Sequence, residues 1–531
     1  MATSIVNNVN KLVNAIMADT RLLTSTIFLL PAGMYLAYSA FRHRLAAPGP
    51  PRLPLLGNLF QIPSQLQFIR YTEWAQRYGP IFSLDVLGQH IVVLNTCEAA
   101  GDLFGMEFRW LPRQCYSRQT QYQLDRGSNI YNDRPRLVMA NEILGGGVLL
   151  SVMKSNHSIA ASSITTAVYG WPPLETESHM VQYIQDFVNV VSKTTVPGAY
   201  LVDTLPIMKY IPASIARWKR EGLKWCDEQT RLFERFNEGV VEKASKGGSE
   251  VNFIADLMAS KVRHCLSKME FAWLPGALIL AGTDTTAVSL INCTLALLHY
   301  PNVLRKAHEE LDEVIGRDRA PGFGDKDNLP YIQAISRETL RWCPPVPLGI
   351  PHVASEVSIP QLATVKVNIS FPYRAAGTKG TLFQRAVHHC CPKYLGYEQG
   401  FFYLDILTLT TSDPSGTSIR PKINCRCHCP LDSSGKTLTA PPDTHQMGHT
   451  SFGFGKRICP GMYFADQELF TGIAIMLWTF NIRPHVDEEG NEVLPDSDGW
   501  EDATIVVRPA PFKCDFSPRF PRFNKFSTRP S

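Results

Sequence analysis

The stretch Phe452-Gly453-Phe454-Gly455-Lys456-Arg457-Ile458-Cys459-Pro460-Gly461 decides how the rest of the chain is read. Gly453, Gly455 and Gly461 strip side chains from around one cysteine, so the backbone can turn tightly and lie against a flat partner. An apolar helical pattern follows from Gly461 to Phe480, and the positive end of that helix points back at the sulfur, favouring thiolate over thiol. Phe452 is placed to shield the sulfur, and Arg457 carries a guanidinium that can bond a carboxylate bidentately. Two readings are open here: an inert cysteine in a glycine-rich turn before a buried helix, or a thiolate presented to a metal. The coincidence of aromatic, glycines, arginine and cysteine at fixed offsets favours the second.

Working outward, Ala281-Gly282-Thr283-Asp284-Thr285-Thr286 interrupts an otherwise apolar helical pattern running from Phe271 to Tyr300. A threonine hydroxyl there can bond the carbonyl one turn back, and Gly282 leaves space beside it. By itself the segment reads equally well as a capped helix start. Between these two stretches, Arg337-Glu338-Thr339-Leu340-Arg341-Trp342 places Glu338 and Arg341 one helical turn apart, a spacing that is ordinary for a surface pair.

Taken together and in this order, the segments resemble the cytochrome P-450 superfamily. Its cysteine loop reads Phe-x-x-Gly-x-Arg-x-Cys-x-Gly, matched by Phe452, Gly455, Arg457, Cys459 and Gly461. The resemblance implies haem (heme, iron protoporphyrin) with Cys459 as axial thiolate, a ligand that pushes electron density toward bound dioxygen so that its O–O bond can break. It implies Arg457 on a haem propionate, Asp284 and Thr285 serving proton delivery to oxygen, and a buried Glu338–Arg341 pair fixing the loop's scaffold. Pro344 to His352 is similar to the stretch that passes over the haem. The implied activity is insertion of one oxygen atom into an apolar small molecule, such as a terpenoid, steroid or fused aromatic, with electrons from a separate NADPH-dependent reductase. A haem-thiolate isomerase or dehydratase, and a degenerate non-catalytic membrane protein, are the alternatives. The implied fold is mainly α with minor β, similar to fungal microsomal members, behind a single N-terminal transmembrane helix.

The chain has 531 residues, 44% apolar and 19% charged, enough to build a large core. A formal net charge of +4, not gathered into a basic run, gives no support to nucleic-acid binding. Thirteen cysteines without a repeating spacing fit a reducing compartment better than a disulfide framework. Leu22 to Phe41 holds twenty residues without a charge, enough for about 30 Å of hydrocarbon as a helix. Arg42, Arg44 and Arg52 follow it, so the bulk of the chain is expected to face the cytosol on a single-pass anchor, which the resemblance implies lies in the endoplasmic reticulum membrane. The expected organisation is a tail at 1–21, the anchor at 22–41, a proline-rich spacer at 42–62, the catalytic domain at 63–515 and a basic disordered tail at 516–531. Within the domain, helices are expected at Leu66 to Tyr78, Gln182 to Ser192, Arg217 to Lys246, Val303 to Ile315 and Tyr331 to Trp342. Two strands are expected between Pro80 and Leu94.

The chain also departs from the family pattern. No Trp-x-x-x-Arg helix follows Tyr131 to Arg136, since Val148-Leu149-Leu150-Ser151 runs almost directly into Ser158 to Tyr169. Gly105 to Asp125 has the look of an insertion. The Pro-x-Arg motif is missing shortly before the cysteine loop; Pro372-Tyr373-Arg374 lies too early, and Cys390 to Cys429 is foreign until Leu431 resumes the pattern. That patch holds His388, His389, Cys390, Cys391, Cys425, Cys427, His428 and Cys429, but not the paired cysteine spacing usual for zinc. Sequons at Asn156, Asn292 and Asn368 have no glycosylation machinery to meet in a cytosolic domain. Deleting residues 1–41 is expected to move most of the chain from the membrane to the soluble fraction, read by ultracentrifugation of lysates; a truncated chain still wholly in the pellet would mean a second insertion surface.

Overall fold

A computed structural model of the chain describes residues 48–87, 89–95, 100, 149–174, 178–194, 200–204, 206–245, 252–260, 266–350, 352–353, 381–384, 451–454, 458–502 and 505–520. Near its start, helix α1 (Gln67–Tyr78) packs on a hairpin of β1 (Ile81–Val86) and β2 (Gln89–Leu94), where the amphipathic and alternating patterns place them. The register sets Phe82 opposite Val93 and Leu84 opposite Ile91, and these four side chains bury against Tyr71 and Trp74 of α1. Two short strands, β3 (His352–Val353) and β4 (Thr381–Gln384), complete this sheet in the order β1-β2-β4-β3, with β4 parallel to β2.

The proline-rich segment, expected as a stiff spacer over 42–62, is from Pro48 onward packed on the domain. Proline lacks an N–H but keeps a carbonyl, and these carbonyls are used: Ser83 N–H donates to Pro48 O at 2.8 Å, and the buried Asn58 amide donates to Pro50 O and Pro51 O. Gly57 has φ 64°, and a Cβ there would stand 2.1 Å from Asp85 O, so the approach to β1 requires glycine.

The body is helical: α2 (Leu149–Tyr169), α3 (His179–Thr194), α4 (Leu201–Thr204), α5 (Arg217–Ser245), α6 (Phe253–Ala259), α7 (Lys268–His299), α8 (Pro301–Val314), α9 (Pro330–Trp342) and α10 (Met462–Thr479). Helix α7 is its axis, packed by α2, α3, α5, α9 and α10, and every residue from Thr286 to Leu298 is buried. A capping box of Ser267 and Glu270 starts it. Pro275 inside it cannot donate to the Phe271 carbonyl, and Asn237 Nδ2 of α5 takes that place at 2.8 Å. Among the described residues α7 is the one helix long and apolar enough to cross a membrane, and two thirds of its most apolar stretch is buried in protein. The anchor expected at Leu22 to Phe41 lies outside the described residues.

Beyond α10 the chain forms β5 (Phe480–Val486), β6 (Glu492–Val493), β7 (Trp500–Asp502), β8 (Val507–Pro509) and β9 (Cys514–Pro518), with sheets ordered β6-β5-β9 and β7-β8. Phe516 pairs with Ile482, Phe520 is buried against Trp478, and Arg519 bonds Asp312 at 2.8 Å. The tail expected from 516 therefore cannot begin before 521. The strand escaped sequence reading because its pairing partner lies some thirty positions upstream and its outer positions are polar.

Where α2, α7 and α10 meet, Glu468 is completely buried, held by Thr286 Oγ1 at 3.0 Å and by the Ser163 hydroxyl. Burial pushes its carboxyl from the ordinary 4.5 to about 8, against the pull of both hydroxyls. The folded protein thus keeps a proton that the unfolded chain releases near 4.5, so stability is fully present below that pH and is lost as pH rises toward 8. The loss is on the order of 5 kcal/mol. Thermal denaturation of Glu468→Gln is expected to show a flatter pH dependence between 5 and 8 than the parent; superimposable profiles would refute the buried, protonated state.

Candidate active site

The cysteine loop is a closed turn. Cys459 N–H donates to Phe452 O at 2.8 Å, and Met462 N–H donates to Cys459 O at 3.3 Å as α10 begins. The Gly461 N–H donates to the Cys459 sulfur. Gly461 caps α10 without a side chain, so the positive end of that helix lies beside the cysteine, as the sequence implied. Burial nevertheless pushes the Cys459 thiol up, and the Gly461 hydrogen bond only partly offsets it. A metal cation would ionise such a thiol outright. The Phe452 ring packs on the hydrophobic core and Phe454 is fully buried, which fixes the loop from behind. Gly455 and Arg457 lie outside the described residues.

One contact ties the loop to α9, and two more secure α9 itself. Ser451 Oγ donates to Leu340 O at 2.8 Å, and Asn292 Nδ2 of α7 donates to Cys343 O at 2.9 Å at the end of α9. Arg341 donates twice to Glu338, at 2.6 Å each, with both side chains about nine-tenths buried. This is the buried pair that the resemblance implied, in the bidentate geometry that a surface pair seldom holds.

On α7, Thr285 Oγ1 donates to Ala281 O at 2.7 Å, the bond one turn back expected of it, and the helix stays continuous. Ala277 and Ala281 are exposed and Thr285, four positions on, is half-buried like Leu280 and Gly282, while Pro275, Gly276, Leu278, Ile279, Thr283 and Asp284 are buried. A Cβ on Gly282 would meet Ile164 of α2 at 3.1 Å, so its small size serves close packing of α2 on α7. The next residue but one, Asp284, turns the same way: His157 Nε2 of α2 lies 2.9 Å from Oδ1, and Arg508 Nη2 of β8 lies 3.4 Å from both carboxylate oxygens. Burial pushes the Asp284 carboxyl up, but the His157 hydrogen bond and the neighbouring Arg508 and His157 outweigh it and hold it below the usual carboxylate range.

His157 and Arg508 escaped sequence reading. They stand 127 and 224 positions from Asp284, each alone in its own segment, and no spacing rule connects them. The sequons at Asn156 and Asn292 are in fully buried helical positions, so neither can carry a glycan in this fold. Asn368 and the histidine–cysteine patch at 388–429 lie outside the described residues. Among those described, no group of three or more His, Cys, Asp or Glu side chains is placed to hold a metal.

The cytochrome P450 family profile matches residues 47–137, 150–366 and 431–516. The chain is 36% identical over 527 residues to cytochrome P450 monooxygenase 58 of Postia placenta, covering 89% of this chain and 88% of that one. It is 31% identical over 559 residues to a cytochrome P450 monooxygenase of Armillaria gallica, covering 94% and 96%. The chain belongs to the cytochrome P450 family. It is a monooxygenase of that family, whose members carry haem with a cysteine thiolate on the iron. The profile breaks between 137 and 150, where the Trp-x-x-x-Arg helix was expected, and between 366 and 431, resuming at Leu431. The second break begins earlier than Cys390, and the first match runs through Gly105 to Asp125 without setting an insertion apart.

The described residues suit a P450 haem. A sulfur at a helix N-terminus with a backbone N–H on it suits an anionic ligand, and the exposed Ala277 and Ala281 with half-buried Thr285 leave a face of small side chains where a flat group can lie. Arg341→Ala is expected to lower stability by roughly 3 to 5 kcal/mol by leaving Glu338 buried and unpaired, and to lower haem content with it. Denaturant melts and the haem-to-protein absorbance ratio check this; a loss below about 1 kcal/mol would place the pair among ordinary surface pairs.

Proposed function

We propose that this P450 inserts one atom of dioxygen into an apolar small molecule, with Cys459 as the axial ligand and Asp284 and Thr285 serving oxygen activation. The observation that carries this reading is the pairing on α7 of a buried carboxylate, kept ionised by His157 and Arg508, with a hydroxyl on the open face. When bound, haem supplies the reactive iron and the redox chemistry at dioxygen. The chain's part is to hold and to deliver. The Gly461 N–H and the first turn of α10 stabilise negative charge on Cys459, and Phe452 and Phe454 keep its loop packed. Thr285, its proton spent on Ala281 O, offers oxygen lone pairs to a donor on the open face, and Asp284 is the neighbouring acceptor through which protons pass. Arg457 is assigned to a haem propionate by its place in the motif.

The substrate is read as apolar because Ala277 and Ala281 supply the open positions beside Thr285, which fits terpenoids, steroids or fused aromatics. Electrons are assigned to a separate NADPH-dependent reductase and attachment to the membrane to residues 22–41. An isomerase or dehydratase reading is disfavoured, since reactions without dioxygen have no use for an ionised carboxylate beside Thr285. Cys459→Ser is expected to abolish the thiolate-type band of the reduced carbon monoxide complex, because an alcohol does not ionise as a thiol on iron does. A band unchanged by the substitution would remove Cys459 as the ligand.

A further inference from the structure

A carboxylate in the interior of an apolar helix loses its hydration and, left alone, takes up a proton. Asp284 escapes this through two partners, and neither belongs to its own helix. His157, itself buried, reaches it from α2 at 2.9 Å, and Arg508 reaches both oxygens from β8 at 3.4 Å. With an ionised acceptor opposite, the His157 Nε2 carries the hydrogen and donates it. We propose that His157 and Arg508 are positioning residues for dioxygen activation: they hold Asp284 as a fixed acceptor, aimed from one side, next to Thr285. The proposal rests on the role given to Asp284 and Thr285 above.

The geometry divides the work. The short contact to a planar imidazole on a rigid helix fixes where Oδ1 sits, while the longer, two-sided contact to the guanidinium supplies charge without fixing the rotamer. Close packing of α2 on α7, which the absent side chain of Gly282 permits against Ile164, brings the imidazole within reach. A merely structural tie between α2 and α7 would need no charge on Asp284. The proposed role does, since only the ionised carboxylate can accept a proton from one neighbour and pass it to the next.

The test uses full-length, haem-loaded protein with an NADPH-dependent reductase and no organic substrate. Reduction of dioxygen to hydrogen peroxide consumes one NADPH and one proton per dioxygen. Reduction to two waters breaks the O–O bond and consumes two NADPH and two protons. The ratio of NADPH oxidised to dioxygen consumed therefore reads proton delivery without a known substrate. Infrared difference spectra against Asp284→Asn read separately whether Asp284 is ionised. In H157L and R508Q a protonated-carboxyl band is expected to appear at neutral pH, and the ratio is expected to fall below the parent's, toward the value of D284N. H157Q, which keeps a donor, is expected to hold both readouts near the parent's. If H157L and R508Q leave band and ratio at parental values while D284N lowers the ratio, the positioning role is wrong and the reading of Asp284 survives. If D284N itself leaves the ratio unchanged, the reading of Asp284 fails, whatever the infrared band shows, and the positioning role fails with it. Arg508 is partly exposed, so R508Q carries the test should H157L lose its haem.

Discussion

Burial of polar side chains midway along the apolar helix α7 is the constraint from which the rest of the arrangement follows. Thr283, Asp284, Thr285 and Thr286 sit midway along α7, and each needs a partner in place of water. Thr283 and Thr285 find theirs within the helix, on Ile279 O and Ala281 O. Thr286 finds Glu468 of α10, and Asp284 finds His157 of α2 and Arg508 of β8. The two residues that need outside partners thus fix the elements that surround the helix. Glu468 stays protonated because, among the described residues, nothing charged offsets its burial, while Asp284 stays ionised because two donors meet it. Two carboxyls within one helix bundle are held in opposite states by their surroundings alone.

The cysteine loop depends on that frame from the other side. It is anchored on the Leu340 carbonyl of α9, which receives Ser451, and α9 is tied in turn to α7 where Asn292 donates to the Cys343 carbonyl. The buried Glu338–Arg341 pair lies on the same helix. Gly472, where a Cβ would stand 3.0 Å from Leu290, lets α10 lie close on α7, so the loop of Cys459 leads directly into a helix in contact with the one that carries Thr285. The P450 profile breaks outside this frame, between 137 and 150 and between 366 and 431, and matches α7, α9 and α10 without interruption. What the chain retains of the family is therefore the part that bears the sulfur and the hydroxyl.

Periodicity alone placed seven helices and the first hairpin within a few residues of their observed ends, because burial of one helical stripe or one strand face leaves its period in the chain. The motif around Cys459 was legible for a related reason: glycines, aromatic and cysteine must stand at fixed offsets when one short loop does all the work. The Glu338–Arg341 pair was legible as a spacing, though its burial was not. That Gly282 packs against Ile164 was not legible, since a sequence cannot say which neighbour a missing side chain faces. Likewise the final strand and the docking of Pro48 onward on β1 were taken for tail and spacer. The partners of Asp284, the neutral state of Glu468 and the face of small side chains at Ala277, Ala281 and Thr285 were decided by tertiary structure only. Each depends on atoms brought within about 3.5 Å by the packing of helices and strands that lie far apart in the chain, and a hydrogen bond or a desolvation cost depends on that distance and not on sequence separation.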